Sequence, residues 1–367
     1  MDQLFAGVWE FVRYGLTGWS WLGILGFTLV ATHLTIIGVT LYLHRCQAHR
    51  ALELHPLISH PLRFWLWMAT GMVTKEWAAI HRKHHAKCET EEDPHSPQTR
   101  GIEKVLWQGA ELYREAAKDK ELVQRYGHGT PDDWIERNVY SKHSVLGVSL
   151  MLIIDVALFG VAGAAVWAIQ MAWIPFLAAG VINGIGHYWG YRNYKSPDTS
   201  TNISPIGILI GGEELHNNHH TFATSAKFSS KWYEFDIGWM YIRLLSVFGL
   251  AKARALPAEP VLNPAKQAID ADTIEAVISH KYELMASLAR AFKRDSRQQK
   301  GADDQVEKWT ELRKEFEALW SRRQMSVDQA IAALQSWCSR AESSGIAALE
   351  EFSRRLRMYS PRRASAA

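Results

Sequence analysis

Eight of the chain's 16 histidines fall into three tight groups: His44-Arg-Cys-Gln-Ala-His49, His81-Arg-Lys-His84-His85 and His216-Asn-Asn-His219-His220. The second and third share the spacing i, i+3, i+4, which on a helix puts three imidazoles on one face. The first pair, i and i+5, lies about 140° apart on an ideal helix at roughly 100° per residue. It requires either that the helix ends between the two residues or that they serve different metals. Imidazole is the commonest transition-metal ligand, and two H-x-x-H-H triplets beside an H-x-x-x-x-H form a metal-binding pattern. The isolated histidines (His33, His55, His60, His128, His143 and His280) are read as ordinary surface or core residues.

So many imidazoles exceed the four ligands that one zinc takes. They suit two first-row ions, since imidazole accepts iron, copper, zinc or nickel. Soluble di-iron bundles rely on bridging Glu and on Glu-x-x-His pairs from facing helices. Here that pattern occurs only as Glu213-x-x-His216 and Glu92-x-x-His95. A histidine-rich, carboxylate-poor pair of irons at a membrane points to oxygen activation on lipid-like substrates. Ligand imidazoles need outer acceptors, and Glu76, Glu89, Glu91, Asp93, Asp198, Glu213 and Glu214 all lie near the groups.

The elements that position these residues are read from composition and periodicity. The chain has 367 residues, a formal charge of +3 and 22% charged residues, so nothing argues for nucleic acid. Cys46, Cys88 and Cys338 are too widely spaced for a disulfide scaffold, a thiolate zinc site or an iron–sulfur cluster held by this chain alone. Sixteen Trp favour membrane interfaces. Residues 1–18 form an amphipathic segment: Leu4, Phe5, Val8, Trp9, Phe11 and Val12 cluster while Glu10 and Arg13 face away. It is not a signal peptide, because Asp2 and Glu10 stand where basic residues would be.

Trp19 to Leu43 carries no charge and is long enough to span a bilayer. Arg45, Arg50, Arg82, Lys83 and Lys87 follow it, which makes that side cytoplasmic. The apolar stretch Leu62–Ile80 is interrupted by Arg63, Lys75 and Glu76. It is expected to stay at the interface, because a crossing there would put the second histidine group on the wrong side. Val145–Trp173 and Ile174 to about Trp189 are expected to form a membrane hairpin, with the turn at Gly160, Gly163 or Gln170–Met171. Asp155 inside this run should pair with a polar group. This gives three spans and a non-cytoplasmic N-terminus.

Pro257, Pro260 and Pro264 mark a linker, and residues 270–360 read as amphipathic helices with Trp309, Leu312, Phe316 and Leu319 in one stripe. The expected fold is all-α: transmembrane helices, a cytoplasmic helical cap holding the histidines, and a helical C-terminal extension. The expected divisions are 1–18, 19–255 and 256–367.

From about Gly38 to Ala253 these residues resemble the integral-membrane fatty acid desaturases, specifically the acyl-CoA Δ9 (stearoyl-CoA type) branch in a bacterial-like form. The order and spacing of the three boxes match. The second box is followed by Glu89-Thr90 and Asp93-Pro94-His95-Ser96. Asn183-Gly-Ile-Gly-His187 and Gly190-Tyr191-Arg192 look like the segment at the end of the last membrane helix, and Gly212-Glu213-Glu214-Leu215-His216 leads into the third box.

The resemblance implies nine ligands for two irons: His44, His49, His81, His84, His85, His187, His216, His219 and His220. It also implies that Asn183 holds a metal-bound water. A histidine at the position of His187, at the end of a membrane hairpin, is costly unless it functions. Zinc can replace iron in a purified preparation, because imidazole sites accept both.

The implied reaction is O₂-dependent desaturation of a fatty acyl-CoA at a bacterial inner membrane, in contact with membrane lipid and with the catalytic side cytoplasmic. The chain has no His-Pro-Gly-Gly, no C-x-x-C and no G-x-G-x-x-G. Electrons must therefore come from a separate protein of the ferredoxin or flavin-reductase type. Phospholipid-linked chains, a membrane hydroxylase of the same di-iron type and a metal transporter are the alternatives. The stearoyl-CoA type carries an Arg-Asp pair before the second box that helps to hold coenzyme A; here those positions are Ala79-Ile80. Other cations could meet the coenzyme A phosphates: Arg45, Arg50, Lys75, Arg82, Lys83, Arg100, Lys104, Arg192 and Lys195.

Overall fold

Amphipathic spacing makes α1 (Asp2–Tyr14) a helix with Phe5, Val8, Trp9, Phe11 and Val12 exposed. In this computed structural model, which describes residues 2–254, 260–281, 284–285, 287–288, 291, 303–319 and 325–361, the protein is mostly helical. Pro257 of the expected linker lies outside the described residues.

The uncharged run folds as α2 (Trp21–Ala48), capped by Ser20, whose hydroxyl accepts the Gly23 N–H. Its threonine hydroxyls (Thr28, Thr32 and Thr35) donate to carbonyls one turn back, so they present no open polar group along the apolar helix. From Gly38 to Ala48 the helix widens to π-type turns.

The stretch expected to lie as one interfacial segment is two helices, α3 (Pro56–Thr70) and α4 (Thr74–Lys87). Gly71 ends the first in the left-handed conformation, φ 63°, where a β-carbon would be strained and would press on the Ser144 carbonyl. Arg63, the charge that interrupts this stretch, is buried and paired with Asp133 and Glu136. The polar middle of the chain forms α5 (Ile102–Ala117) and α6 (Lys120–Tyr126).

The hairpin is α7 (Ser144–Phe159) and α8 (Val161–Ile185), and of the possible turn positions the chain uses Gly160, φ 62°. A β-carbon there would stand 2.4 Å from the Val12 carbonyl oxygen, so only glycine fits against the end of α1. Among the described residues two helices, α2 and α8, are long and apolar enough to cross a membrane, where three crossings were expected. The 16 residues of α7 reach only about 24 Å of the roughly 30 Å hydrocarbon core. Asp155 is fully buried in α7, and neither carboxylate oxygen has a hydrogen-bond partner among the described residues. The expected pairing does not occur among the described residues, where the Gln170 amide is likewise unpartnered.

Short helices α9 (His216–Thr221) and α10 (Ile237–Val247) follow, and strand Ala251–Ala253 returns to pair antiparallel with Leu52–Leu54. The chain divides into two compact units, residues 1–193 with 197–256, and residues 194–196 with 257–367. The second unit contains α11 (Ala271–Ser279), α12 (Asp303–Leu319), α13 (Val327–Glu342) and α14 (Ala347–Arg357). Trp309, Leu312 and Phe316 of the expected stripe are buried there against Leu334, Trp337, Leu349 and Phe352. Ser326 and Gln329 form a reciprocal capping box at the start of α13.

Candidate metal centre

The widened turns of α2 resolve the i, i+5 spacing of the first histidine pair. The His49 N–H donates to the His44 carbonyl at 3.0 Å, an i→i+5 bond that brings residue i+5 back over residue i. The helix neither stops between the two histidines nor sends them to different places. His44, His49, His81, His85 and His219 form one group whose ligand atoms all lie within 4.8 Å of one another.

A second group gathers His84, His187, His216 and His220. The Nε2 of His187 is 3.2 Å from that of His84 and 3.0 Å from that of His216, and the His220 ring centroid is 4.6 Å from that of His187. Each H-x-x-H-H triplet therefore splits: His81 and His85 face one group and His84 the other, while His219 faces the first group and His216 and His220 the second. The single face expected of i, i+3, i+4 instead bridges two sites. Asn183 lines the adjoining cavity with His44, His81 and His216.

Outer carboxylates fix the rings. The Nδ1–H of His44 donates to Glu213 at 2.7 Å, and Thr40 donates to the same carboxylate. Asp93 receives the Nδ1 of His84 at 3.0 Å and the backbone N–H groups of Glu89 and His95. Asp198 faces the Nδ1 of His220 at 3.2 Å, and Glu89 faces that of His187 at 3.4 Å. Each contact commits Nδ1 outward and leaves Nε2 to face the group. Of the seven carboxylates named from sequence, these four take that place. Glu214 instead accepts the N–H groups of Ile210 and Gly212, and Glu76 lines the cavity. Burial, followed by mutual repulsion, holds His49, His81, His85, His216, His219 and His220 well below the ordinary histidine range. They are neutral at pH 7, as metal ligation requires.

The donor set fits two metal ions. Five imidazoles in one group are one more than tetrahedral zinc takes. Facing Nε2 atoms stand 2.8–3.2 Å apart. Two nitrogens each about 2.1 Å from an ion stand about 3.0 Å apart at right angles and about 3.4 Å apart at tetrahedral angles. The observed spacing is close enough for neighbouring rings to share one ion. Two buried neutral imidazoles can share one proton at most, so a group of five without an ion would leave several lone pairs facing each other. Replacing Glu213 by Gln keeps the shape but removes the charge behind His44. It is expected to weaken metal retention about 10- to 100-fold, read as metal content against chelator concentration; unchanged retention would rule out that role.

Sequence reasoning placed Arg45 and Arg82 among candidate phosphate ligands, and the structure places them elsewhere. Arg45 is fully buried, donates to Asp236 and to the carbonyls of Gly211 and Ala226, and stacks on Phe228. Arg82 donates to the carbonyls of Gln47, Ala48, Tyr126 and His128. Sequence reasoning also passed over the lining of a cavity of about 390 Å³. The histidines His44, His81 and His216 stand in its wall together with Val39, Met72, Trp77, Ile80, Ile174 and Ala178. Its signal in the sequence was the small-residue face Gly109, Ala110 and Ala117 of α5.

The family model described as fatty acid desaturase matches residues 19–253. The Delta-9 desaturase-like 5 protein of Arabidopsis thaliana is 29% identical over 257 residues, 68% of this chain and 79% of that protein. The sn-1 stearoyl-lipid 9-desaturase of Synechocystis sp. is 31% identical over 231 residues, covering 62% and 70%. The icosanoyl-CoA 5-desaturase of Limnanthes douglasii is 30% identical over 239 residues, covering 64% and 65%. With the family model covering all three histidine boxes and more than half the chain's length, this chain belongs to the fatty acid desaturase family.

Proposed function

We propose that the protein is an O₂-dependent membrane desaturase that inserts a cis double bond at Δ9 of a saturated fatty acyl-CoA. The observation that carries this reading is the coincidence of two imidazole groups with one apolar cavity of about 390 Å³, within the range of small-molecule sites. His44, His49, His81, His85 and His219 would hold one iron, and His84, His187, His216 and His220 the other, with Asn183 holding a water beside them. Two irons supply the oxygen activation that breaks an unactivated C–H bond, which acid–base groups cannot break.

The chain's own residues do the rest. Glu213, Asp93, Asp198 and Glu89 hold the ring tautomers. Val39, Met72, Ile174 and Ala178 orient the alkyl chain and exclude water. The substrate loses two hydrogens, O₂ leaves as two waters, and two electrons and two protons enter. The electrons come from a separate protein of the ferredoxin or flavin-reductase type. The exposed apolar faces of α1 and α2 are surfaces that a bilayer covers. The reading places the protein in a bacterial inner membrane with the centre on the cytoplasmic side.

A second reading, the same chemistry on lipid-linked chains, is favoured by Arg45 and Arg82, whose donors are held by carbonyls and Asp236, and by the similarity to the Synechocystis sn-1 stearoyl-lipid 9-desaturase. The deciding assay gives iron-loaded protein and a reductant stearoyl-CoA or palmitoyl-CoA, in parallel with the same chains in phospholipid. The expected result is a cis Δ9 product from the coenzyme A esters. Conversion of only the phospholipid chains would overturn the carrier and keep the chemistry; a hydroxylated product alone would overturn the desaturase reading.

A further inference from the structure

Outside the histidine groups, the charged or ionisable side chains Glu76, His95 and Arg114 line the cavity, and so do hydroxyl groups. The Thr70 hydroxyl donates to the Leu66 carbonyl at 2.6 Å, and the Ser141 hydroxyl to Glu136 at 2.8 Å. Both are committed. Tyr113 is different: its phenol oxygen is buried and has no hydrogen-bond partner among the described residues, and its ring lines the cavity. Leaving such a hydroxyl unsatisfied costs about 1–3 kcal/mol.

Its surroundings show what could satisfy it. Residues 109, 110, 113, 114 and 117 of α5 form one helical face toward the cavity. Ala110 and Ala117 are small, Gly109 lies against the Ala179 backbone, and Tyr113 carries the buried hydroxyl on that face. Ile80, where the stearoyl-CoA type would carry a charge, is buried beside it in an apolar cluster with Ala79 and Leu122. Arg114, the next residue, has a largely exposed side chain, so the cavity reaches the surface at this position, while His44 and His216 in its wall are buried. A chain lying between that opening and the histidines passes Tyr113. An acyl substrate has one strong acceptor, the carbonyl oxygen that joins chain to carrier.

We propose that the Tyr113 hydroxyl donates to the acyl carbonyl oxygen and thereby sets how far the chain advances toward the metal centre, and so which carbons are desaturated. The inference rests on the acyl-chain reading above. It holds for a thioester or an oxygen ester, since both present that oxygen. Tyr113 is a positioning residue: it touches the substrate far from the carbons that react.

The test compares Tyr113→Phe with the wild type, both iron-loaded, on stearoyl-CoA and on phospholipid-bound stearate, reading KM, metal content and double-bond position by mass spectrometry of the products. A further arm measures inhibition by S-octadecyl-CoA, the thioether that lacks the carbonyl. The variant is expected to keep its iron, to raise KM about 3- to 10-fold for the accepted carrier, and to yield a mixture of positional isomers. Wild type and variant should bind the thioether equally, because a cycle over both removals isolates the one contact.

Equal KM and a single unchanged double-bond position would overturn the proposal, as would loss of iron in Tyr113→Phe, which would make the hydroxyl structural. A wild type that desaturates neither ester would instead overturn the underlying reading and this inference with it. The carrier arm in which the Tyr113→Phe effect appears identifies the source of the carbonyl.

Discussion

Replacing His219 by alanine is expected to abolish product formation and to lower the metal content from two ions per chain to one. His219 is fully buried, and its Nε2 stands 3.0 Å from that of His44 and 3.0 Å from that of His85. It is therefore the imidazole through which the third histidine box meets both the first and the second within one group. The substitution removes a ligand atom and leaves a gap that no neighbouring side chain fills with a donor. Its effect should exceed the roughly 10- to 100-fold expected of an outer acceptor such as Glu213. His187→Ala should empty the other site, because His187 contacts both His84 and His216. His60→Ala, an exposed histidine outside both groups, should keep both ions and full activity. Metal analysis of the membrane-inserted variants separates the cases. A His219→Ala protein that kept two ions and turned over normally would remove the basis for the two-group assignment.

The histidine pattern was legible because ligand chemistry constrains residue type more tightly than folding does. Nine imidazoles from four separated segments meet in two groups; the spacing singles out eight of them, and His187 and Asn183 enter only through the family resemblance. Which imidazole joins which group was not legible. The split of each triplet depends on the position of a facing helix, and helical periodicity says only that three side chains share a face. The His44–His49 spacing was misleading for a related reason: ideal helical geometry was assumed where the chain winds wider. The sequence allows the hairpin turn at any of three glycine or polar positions, and the close approach of Val12 to Gly160 selects one of them, a long-range contact. Asp155 shows the limit of a rule about buried charge. The rule demanded a partner, and the fold buries both oxygens without one among the described residues.

Arg45 was the least legible residue of the site, because it sits inside the first box between His44 and Cys46 and has the chemistry of a phosphate ligand. The structure gives it a framework role that predicts a large loss. Its guanidinium lies 3.8 Å over the Phe228 ring and donates to Asp236 and to the carbonyls of Gly211 and Ala226, all in the segment that carries the third box and the helix after it. Asp236 in turn accepts the N–H of Phe228 and caps α10 through the N–H of Trp239.

Removing one partner of such a buried pair costs about 3–5 kcal/mol. Against a total stability of about 5–15 kcal/mol, Arg45→Ala should lose a large part of the fold and release metal at a lower temperature. Asp236 keeps its two backbone donors, which places the loss toward the lower end of that range. Arg45→Lys is the sharper experiment. An ammonium keeps the charge but cannot fork to two carbonyls and a carboxylate while lying flat on an aromatic ring. If Arg45 served a phosphate or only the charge balance of that membrane face, lysine would restore most of the function and stability would not move. The contacts predict the opposite: Arg45→Lys should lower the unfolding temperature and metal retention nearly as far as Arg45→Ala, with KM for the acyl substrate unchanged in the fraction that remains folded.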